Sequence, residues 1–391
     1  MRLRLGLSVL AAVLLAVLLG LALRLPGGRD GGGAVLAVSD AAVRRVASEA
    51  VETRITLAAA GDTMFDRGVK AQTAAHGPGY PFSATSDILS RADICFLNLE
   101  TSLSTSGSPI PGKGIWFRSD PSFANELLRA GVDVISLANN HILDYDDPAL
   151  LDTMRVLAAS GIRAVGAGAD LAAARRGAVI SSRGISVAFL AYCELAYIFW
   201  SYSYPKWFAA GRDRPGVAPM DEQLILEDVR RAKRNADHVV VSFHWGDEYV
   251  QIPSDRQIRL AQLVAEAGAS VVLGHHPHVL QPIEVYRGAV IFYSLGNFIF
   301  DQRKPLTVDS MIALVTLARD RVVSCEFIPC RIENCCPRPL NSNRARAAIR
   351  DMARLSSRRS TVVWASGDRG RVLIPPGESR AKSERALKLL P

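Results

Sequence analysis

The sequence has 391 residues, of which 21% are charged and 49% hydrophobic, and its formal net charge is +8. This length suits one large α/β domain or two small ones, and the hydrophobic content indicates a folded protein with an added membrane segment. The positive charge comes from arginines scattered along the chain, so nucleic acid is not predicted as a partner, whereas attraction to acidic polymers or anionic lipid stays open.

The amino terminus carries the added hydrophobicity. Arg2 and Arg4 precede an uninterrupted apolar run from Leu5 to Leu23, which is about the length that a helix needs to cross a bilayer core. Because arginines favour the cytoplasmic side, the bulk of the chain is predicted to be extracytoplasmic. A cleaved signal peptide is the alternative, but no good small-x-small cleavage site follows the run. The sequence predicts a single-pass protein of the cell membrane, with a signal anchor or transmembrane helix over residues 1–25 and a linker over residues 26–52.

Five segments of the domain predicted over residues 53–340 begin as apolar strands and end in polar side chains. The carboxyl ends of parallel strands meet at one edge of a sheet, where α/β proteins place their sites. One such residue is ordinary turn polarity, but five segments together favour a shared site. In chain order the segments are 54–62, 92–100, 132–141, 236–245 and 269–278, and they end in Asp62, Asn98 and Glu100, Asn139, Asn140 and His141, His244, and His275, His276 and His278.

The regions between these segments have the apolar spacing of helices or hairpins, which indicates an α/β fold. Residues 341–391 are predicted to form a basic helix and a mobile polar tail. The helices are predicted near residues 70–75, 123–130, 147–161, 221–236, 256–267 and 344–355, and the hairpins over residues 285–293 and 311–328.

Two loops stand out by composition. Residues 101–117 are rich in Ser, Gly and Pro, and a loop of that length near a site is often a lid or binding segment, in which Lys113 and Arg118 would meet an anion. The aromatic-rich segment from Tyr197 to Phe208 has a packed loop core as its default interpretation and the wall of a substrate groove as its alternative.

The six cysteines fall into two groups. Cys95 and Cys193 lie in apolar runs and are predicted to be buried thiols. The other four lack the paired C-x-x-C spacing of zinc sites, so one or two disulfides are favoured over a metal. They are Cys325, Cys330, Cys335 and Cys336.

The polar strand ends supply ligands for a metal. Two carboxylates, a carboxamide and several imidazoles suit one or two divalent ions such as Mn, Fe or Zn. His276 and His278 flank a proline that fixes the local backbone, although clustered histidines alone could also simply cap a turn.

At these positions the sequence resembles the CapA family of poly-gamma-glutamate capsule biosynthesis proteins, itself similar to the calcineurin-like metallophosphoesterases. The resemblance runs from about Arg54 to Asp301. It implies a metallophosphoesterase-like sandwich of β-sheets flanked by helices, an anchored external domain, and a part in making or exporting an anionic polymer such as poly-gamma-glutamate within a capsule-synthesis complex. The matching segments are Gly61-Asp-Thr-Met, Asn98-Leu-Glu, Ala138-Asn-Asn-His, His244-Trp-Gly, Gly274-His-His-Pro-His-Val-Leu-Gln and Tyr293-Ser-Leu-Gly-Asn-Phe.

The resemblance implies a role for each matching residue. Glu100 stands where a carboxylate bridges two metals, and His141 would donate a proton to the leaving oxygen or stabilise its developing charge. Two metals about 3.5–4 Å apart would clamp the oxygens of an in-line displacement at phosphorus. His275 would be supporting or structural. Asp62 and His278 would bind one metal, Asn140, His244 and His276 the second, and Arg118 and Asn297 would contact the substrate.

Two departures from the phosphoesterase pattern leave two functions open. Met64 stands where those enzymes usually have a histidine ligand, and the bridging position is Glu100 rather than Asp, so the site would hold one ion, or two only with substrate. The first hypothesis is a metal-dependent hydrolase of phosphoester or polymer linkages. The alternative is a non-catalytic protein that binds a polyanion during its export or attachment.

Overall fold

The computed structural model describes residues 52–375. The predicted anchor, nearly all of the predicted linker and the end of the predicted tail lie outside these residues. Within the described range, no helix is both long enough and apolar enough to cross a membrane.

The described residues form eight α-helices, which occur where the sequence predicts them or as short additional turns. Four of them, α1, α5, α6 and α7, begin at side-chain caps. For example, Ser254 and Gln257 form a capping box before the helix that Gly268 ends. The helices are α1 (Arg67–His76), α2 (Ser86–Leu89), α3 (Phe123–Arg129), α4 (Asp146–Ala159), α5 (Leu171–Arg175), α6 (Glu222–Asn235), α7 (Asp255–Ala267) and α8 (Ser342–Ser357).

Twenty strands lie in the same range, and most of them belong to two large sheets. In chain order they are β1 (Arg54–Thr63), β2 (Ile94–Leu99), β3 (Ser102–Leu103), β4 (Arg118–Ser119), β5 (Val134–Ser136), β6 (Arg163–Val165), β7 (Ala167–Gly168), β8 (Ala178–Ser182), β9 (Ile185–Cys193), β10 (Gly216–Val217), β11 (His238–His244), β12 (Val271–His275), β13 (Ile283–Tyr286), β14 (Ala289–Phe292), β15 (Asn297–Ile299), β16 (Asp309–Ala318), β17 (Val322–Glu333), β18 (Cys336–Pro339), β19 (Val363–Ser366) and β20 (Arg369–Val372).

The first sheet has the order β19-β20-β17-β16-β1-β2-β5-β6, with β15 beside β1 and β18 beside β17. β1, β2, β5 and β6 run parallel, whereas β16, β17, β20 and β19 continue the sheet in antiparallel fashion. β1 is a nearly continuous apolar run that is buried along most of its length, as is typical of a central strand.

The second sheet has the order β13-β14-β12-β11-β9-β8. Its four central strands run parallel and its two edge strands antiparallel. β11 lies between β9 and β12, and His244 at its end pairs with Cys193 on one side and with His275 on the other. The hairpin predicted around Arg287 is confirmed as β13 and β14.

The main core lies between the two sheets. It joins Leu57 and Phe96 of the first sheet to Phe189, Leu273 and Phe292 of the second. A second core packs the other face of the second sheet against α6 and α7. The predicted α/β class is confirmed, with two sheets packed face to face and helices against them.

β1 changes its neighbour just before Asp62. β16 accompanies it as far as Ala60, and β15 takes over at Asp62, which pairs with Asn297. The change brings the chains so close that a Cβ on Gly61 would lie 1.9 Å from the carbonyl oxygen of Gly296. Only glycine fits at this position, and the switch places two polar residues side by side at the sheet edge.

The carboxyl-terminal region differs from the prediction of a helix followed only by a tail. After α8, β19 and β20 form a hairpin, and β20 pairs with β17 of the first sheet. Each strand has only four residues, and Arg369 and Arg371 occupy exposed positions of β20. So short a segment gives little hydrophobic periodicity, which explains why the sequence analysis missed it.

The predicted disulfides are wrong, because all six cysteines are free and buried. Cys325 and Cys330 are five residues apart on β17, so their side chains point to opposite faces of the strand. The register sets Cys336 opposite Glu333, three residues beyond Cys330. The prediction that Cys95 and Cys193 are buried thiols is confirmed.

Candidate metal centre

The polar residues predicted at the strand ends meet at one edge of the two sheets. Asp62 lies near the end of β1, Glu100 directly follows β2, and Asn140 lies in the loop after β5. His141 follows Asn140 in the same loop, His244 ends β11, His275 ends β12, and the loop after β12 carries His276 and His278. The side chains brought together are all buried, and they are Asp62, Glu100, Asn140, His141, His244, His275, His276 and His278.

Glu100 is fully buried, and neither of its carboxylate oxygens has a hydrogen-bond partner among the described residues. The nearest imidazole nitrogens are Nε2 of His278 at 3.8 Å and Nε2 of His244 at 4.0 Å from its Oε1. Burial, and secondly the charge of Asp62, raise the pKa of Glu100 well above its usual value. An unpartnered buried carboxylate is costly, and a divalent cation between these groups would compensate that cost.

Asp62, in contrast, is firmly held. Its Oδ1 accepts a hydrogen bond of 2.9 Å from Nδ2 of Asn98, and its Oδ2 accepts one of 3.2 Å from the backbone N–H of His276. Nδ1 of His275 and Nδ1 of His278 each lie 3.3 Å from its carboxylate. Burial alone would raise the pKa of Asp62, but these two histidines lower it well below its usual value. Asp62 therefore remains ionised, which is the state that binds a cation.

Two sets of three residues have the spacing of a metal site, because the ligand atoms within each set all lie within 4.8 Å of one another. Glu100 belongs to both sets. One set combines Glu100 with His276 and His278, and the other combines it with Asp62 and His244. A carboxylate that bridges two metals must belong to the ligand sets of both, as Glu100 does here. The grouping differs from the one implied by the resemblance, which pairs Asp62 with His278 and His244 with His276. The donors fit divalent ions such as Mn, Fe or Zn, so this cluster can hold metal.

Two of the histidines, His244 and His276, have the protonation state that metal binding needs. Burial lowers the pKa of His244 well below its usual value, and burial together with the charge of His278 lowers the pKa of His276 to about 3. Burial alone would lower the pKa of His278 as well, but the carboxylates of Glu100 and Asp62 raise it to about 9. Neutral imidazole keeps a lone pair for a metal. Nε2 of His244 also lies 2.9 Å from Oδ1 of Asn140, so the two predicted ligands are adjacent.

The loop that carries the histidines has an unusual backbone. His276 has φ of 93° and His278 has φ of 57°, both in the left-handed region that non-glycine residues rarely occupy. Such conformations persist only where the surrounding structure enforces them, and they concentrate at functional sites. The intervening Pro277 helps to fix this conformation.

Asn297, which the resemblance implied as a substrate contact, lies behind the site. It is fully buried, its Oδ1 is 2.9 Å from Nδ1 of His278, and its Nδ2 donates hydrogen bonds of 3.0 Å to Gln302 and to the carbonyl of Thr307. With both donors of its amide used, Oδ1 is the acceptor for Nδ1–H of His278, which leaves Nε2 facing Glu100. Asn297 therefore orients the His278 ring.

The two cations predicted to meet an anion have other partners. The side chain of Lys113 is only 3% exposed and forms an ion pair with Asp144. The guanidinium of Arg118 lies 4.0 Å from the centroid of the Tyr145 ring, and its backbone N–H donates to Asp66. The charged group of Lys113 reaches only the edge of the cluster, where it donates to the carbonyl of Asn140 and lies 3.2 Å from Nδ1 of His141.

His141 is held by residues that the sequence analysis did not single out as its partners. Its Nδ1 lies 2.7 Å from Oδ2 of Asp144, and its ring stacks on Phe117 with 4.0 Å between centroids. Lys113 contacts both Asp144 and the carbonyl of Asn140. If Nδ1–H of His141 donates to Asp144, Nε2 is the nitrogen left for a substrate. The spacing His-x-x-Asp was the one available sequence signal.

The charges around His141 favour its neutral form. Burial and the nearby Lys113 lower the pKa of His141 well below its usual value. Burial also raises the pKa of Asp144 to about 7, although Lys113 opposes that shift. The His141 imidazole is therefore largely buried, and its contacts with Asp144 and Phe117 fix its orientation.

Met64 is fully buried and takes no place among the ligands. Its Sδ accepts a weak hydrogen bond from the backbone N–H of Asp66, with 2.8 Å between sulfur and nitrogen.

The aromatic segment from Tyr197 to Phe208 is only partly buried. Tyr204 and Phe208 are buried, whereas Tyr197 and Tyr202 are 56% and 94% exposed. Packing thus accounts for only part of that segment.

The chain is similar to capsule biosynthesis proteins of two bacilli. It is 34% identical to the PGA biosynthesis protein CapA of Bacillus subtilis over 76% of this chain and 77% of that protein. It is 32% identical to the capsule biosynthesis protein CapA of Bacillus anthracis over 74% of this chain and 70% of that protein. Among solved structures, a hypothetical protein from Thermus thermophilus has a TM-score of 0.43 at 16% identity, covering 70% of this chain and 98% of its own.

The family match covers the region that carries the candidate site. The model of the bacterial capsule synthesis protein PGA_cap matches residues 56–302, which include all but the first two residues of β1 and extend just past β15. The buried carboxylate and histidine cluster lies entirely within that range. The chain therefore belongs to the PGA_cap family of bacterial capsule synthesis proteins.

Proposed function

We propose that this protein is a membrane-anchored, metal-dependent hydrolase of phosphoester or polymer linkages that acts in capsule or poly-gamma-glutamate biosynthesis or export. The observation that carries the proposal is Glu100, a fully buried carboxylate with no hydrogen-bond partner among the described residues, shared by two sets of potential ligands. A site built only for stability would pair or replace such a group.

The residues of the site have two different roles in the proposed reaction, metal binding and proton donation. Asp62, Glu100, Asn140 and the histidines at positions 244, 276 and 278 would hold one or two ions of Mn, Fe or Zn. When bound, such ions supply Lewis-acid stabilisation of charge on the substrate oxygens. His141 lies beside this set and would give a proton through Nε2 to the leaving oxygen.

The neighbours of His141 keep it in place for that transfer. Asp144 accepts the Nδ1–H and fixes the ring orientation, and Phe117 packs against its face. Because the imidazole is buried and largely neutral, it must take up a proton from the substrate side or from water before donating it. The arrangement resembles other hydrolases in which a carboxylate orients a histidine.

The proposed location rests on sequence alone. The apolar run from Leu5 to Leu23, preceded by two arginines, has the length and flanks of a signal anchor. An anchor there would hold the described domain at the outer face of the cell membrane, where capsule polymer is exported or attached. The same placement would allow assembly with other capsule-synthesis proteins.

Turnover that depends on metal is the expected result for the purified protein. Phosphomonoesters, phosphodiesters and poly-gamma-glutamate would be offered in turn, with release of phosphate, alcohol or glutamate as the readout. We expect cleavage of one class, its loss after treatment with a chelator, and its return on addition of Mn²⁺, Fe²⁺ or Zn²⁺. Cleavage that persists in metal-free protein would contradict the proposal.

A second function is favoured by one specific observation, the burial of Met64 where the phosphoesterases have a histidine ligand. Without that histidine ligand the site would bind metal more weakly, and the protein would then bind an anionic chain without cleaving it. The net charge of +8 would favour this binding. In that case the protein would guide poly-gamma-glutamate or a similar polyanion during export or attachment.

Binding measurements test this alternative. We expect saturable binding of poly-gamma-glutamate that weakens as salt rises, because screening reduces attraction between exposed charges. Neutral dextran of similar length is the control polymer. Failure to bind at low ionic strength would exclude the alternative, and metal-dependent turnover of the same polymer would favour the hydrolase instead.

A further inference from the structure

Arg67 lies near the candidate metal centre and has no role in the proposed reaction. Its guanidinium lies 4.5 Å from the centroid of the Phe117 ring and 5.8 Å from that of Phe300. Phe117 stacks on His141 at 4.0 Å. Phe300 packs on His278 with 5.0 Å between ring centroids. One aromatic ring therefore separates Arg67 from each of these two histidines.

The position of Arg67 is fixed by the same segment that orients His278. Its guanidinium forms an ion pair with Oδ1 of Asp301, and Oδ2 of Asp301 accepts a hydrogen bond of 3.0 Å from the backbone N–H of Gly68. A Cβ at Gly68 would lie 2.7 Å from the Cβ of Asp301, so glycine permits the close approach. Asp301 follows β15, the strand that begins with Asn297. Arg67 and His278 are thus held from one short stretch of chain.

The guanidinium keeps donors available. Its side chain is 38% exposed, and Asp301 is its one hydrogen-bond partner among residues 52–375. Its backbone has φ of 46°, a conformation that a bulky residue adopts only when its surroundings hold it there. A guanidinium presents several N–H groups in one plane, which match the two oxygens of a carboxylate or phosphoryl group.

The other charges near the site are mixed. Glu248 contributes to the raised pKa of Glu100, and Nζ of Lys304 lies 3.9 Å from the centroid of the Tyr249 ring. The surroundings are therefore not a uniformly positive surface that would attract anions in any orientation. Arg67 is the cation packed directly on the rings that flank the two histidines.

We propose that Arg67 binds an oxyanion of the substrate, either a carboxylate or a phosphoryl group, and so positions the linkage to be cleaved between Glu100 and His141. The position of that linkage rests on the proposed function, whereas the binding of the anion does not require turnover. The chemistry is shared by a polymer of acidic residues and by a phosphoester, and the experiment separates these two sources.

The experiment compares two arginines that differ in their contacts. Arg67→Met removes the proposed anion-binding group, and Arg67→Lys restores a charge without the planar donors. Arg287→Met is the matched control, since Arg287 also has a positive φ of 49°, lies over an aromatic ring, that of Tyr286, and pairs with a carboxylate, that of Glu266, but belongs to the β13–β14 hairpin. The metal-loaded, full-length proteins are titrated separately with inorganic phosphate and with a gamma-linked glutamate oligomer, and metal content and thermal unfolding are recorded for each.

We expect Arg67→Met to raise the Kd for one of the two probes about 10-fold or more, with Arg67→Lys intermediate and Arg287→Met within about twofold of wild type. An effect on phosphate alone identifies a phosphoryl group, and an effect on the oligomer alone identifies a carboxylate. Equal affinity of wild type and Arg67→Met for both probes, or no binding of either by wild type, would overturn the inference.

The same samples separate this inference from the proposed function. Protein that shows Arg67-dependent binding but no turnover would refute the hydrolase and leave the anion site standing. Protein that cleaves its substrate with unchanged Kd and KM in Arg67→Met would refute the anion site and leave the hydrolase standing. The metal content of each variant shows whether a change in its Kd comes from a disturbed metal centre instead of from the lost guanidinium.

Discussion

Replacing Glu100 with glutamine is expected to remove the bound metal and, at the same time, to stabilise the metal-free protein. Glu100 contributes to both ligand sets, so its loss weakens each of them. In the metal-free protein the wild-type carboxylate is buried without a hydrogen-bond partner among the described residues, and a neutral amide of the same shape avoids that cost. We expect the metal content to fall to near zero per chain and the free energy of unfolding of the metal-free form to rise by about 1–3 kcal/mol at neutral pH.

The pH dependence of this difference has a definite sign. Because burial raises the pKa of Glu100 in the folded state, the folded protein retains a proton that the unfolded chain loses above its pKa of about 4.3. The metal-free wild type therefore loses stability from this group as pH rises above that value, until the raised folded pKa is passed. The gap between the variant and the wild type should widen over the same range.

Asp228→Asn is the matched control for Glu100→Gln, since it also converts a fully buried carboxylate into an amide. Asp228 is paired, accepting two hydrogen bonds of 2.9 Å from Arg175 and one of 3.0 Å from Tyr192. We expect this variant to lose stability and keep its metal, the opposite of the Glu100 result. Metal analysis per chain and thermal unfolding measure both effects. Wild-type metal content in Glu100→Gln would show that the carboxylate is not a ligand.

His141→Ala should abolish most turnover while leaving the metal in place. The imidazole lies beside the ligand set and is oriented by Asp144, and proton transfer by such a group typically contributes about 10²–10⁴-fold to the rate. We expect kcat to fall by that order with little change in metal content. Rate measurements at saturating substrate, together with metal analysis, test the expectation.

The control for His141→Ala is His76→Ala, which removes an exposed imidazole from the end of α1, where it stacks on Tyr80. That variant should keep the wild-type rate. Asp144→Asn offers a second check, because it leaves a side chain of the same size but weakens the orientation of His141, and a smaller loss of kcat is expected. Wild-type turnover in His141→Ala would exclude His141 as the proton donor and leave the hydrolase itself standing.

The sequence predicted those parts of the fold and site that depend on short stretches of chain. Asp62, Glu100 and His244 each follow an apolar run that is long enough to be recognised as a strand, and parallel strands align their ends without further information. The resemblance added the proposed roles of Asn140 and His276, which sequence chemistry alone leaves open.

The parts that were missed depend on contacts between distant segments. Lys113 looked like a surface cation in a loop, but tertiary packing buries it against Asp144. Asn297 was expected to contact the substrate, but its amide instead donates hydrogen bonds to Gln302 and to the carbonyl of Thr307. Neither outcome is encoded by local propensity, because burial of a loop residue is decided by what folds over it.

The switch of neighbours along β1 also bears on how the chain reaches its native state. Asp62 receives a hydrogen bond from His276, which lies 214 residues later in the sequence, and the strands that flank the far side of β1 come later still. During synthesis, β1 can pair with β2 early, but its other edge must wait for almost the whole domain. A central strand completed by such distant partners implies slow folding and a long-lived exposed edge. The metal centre would then be among the last features to form, so that metal occupancy would report on the completion of folding.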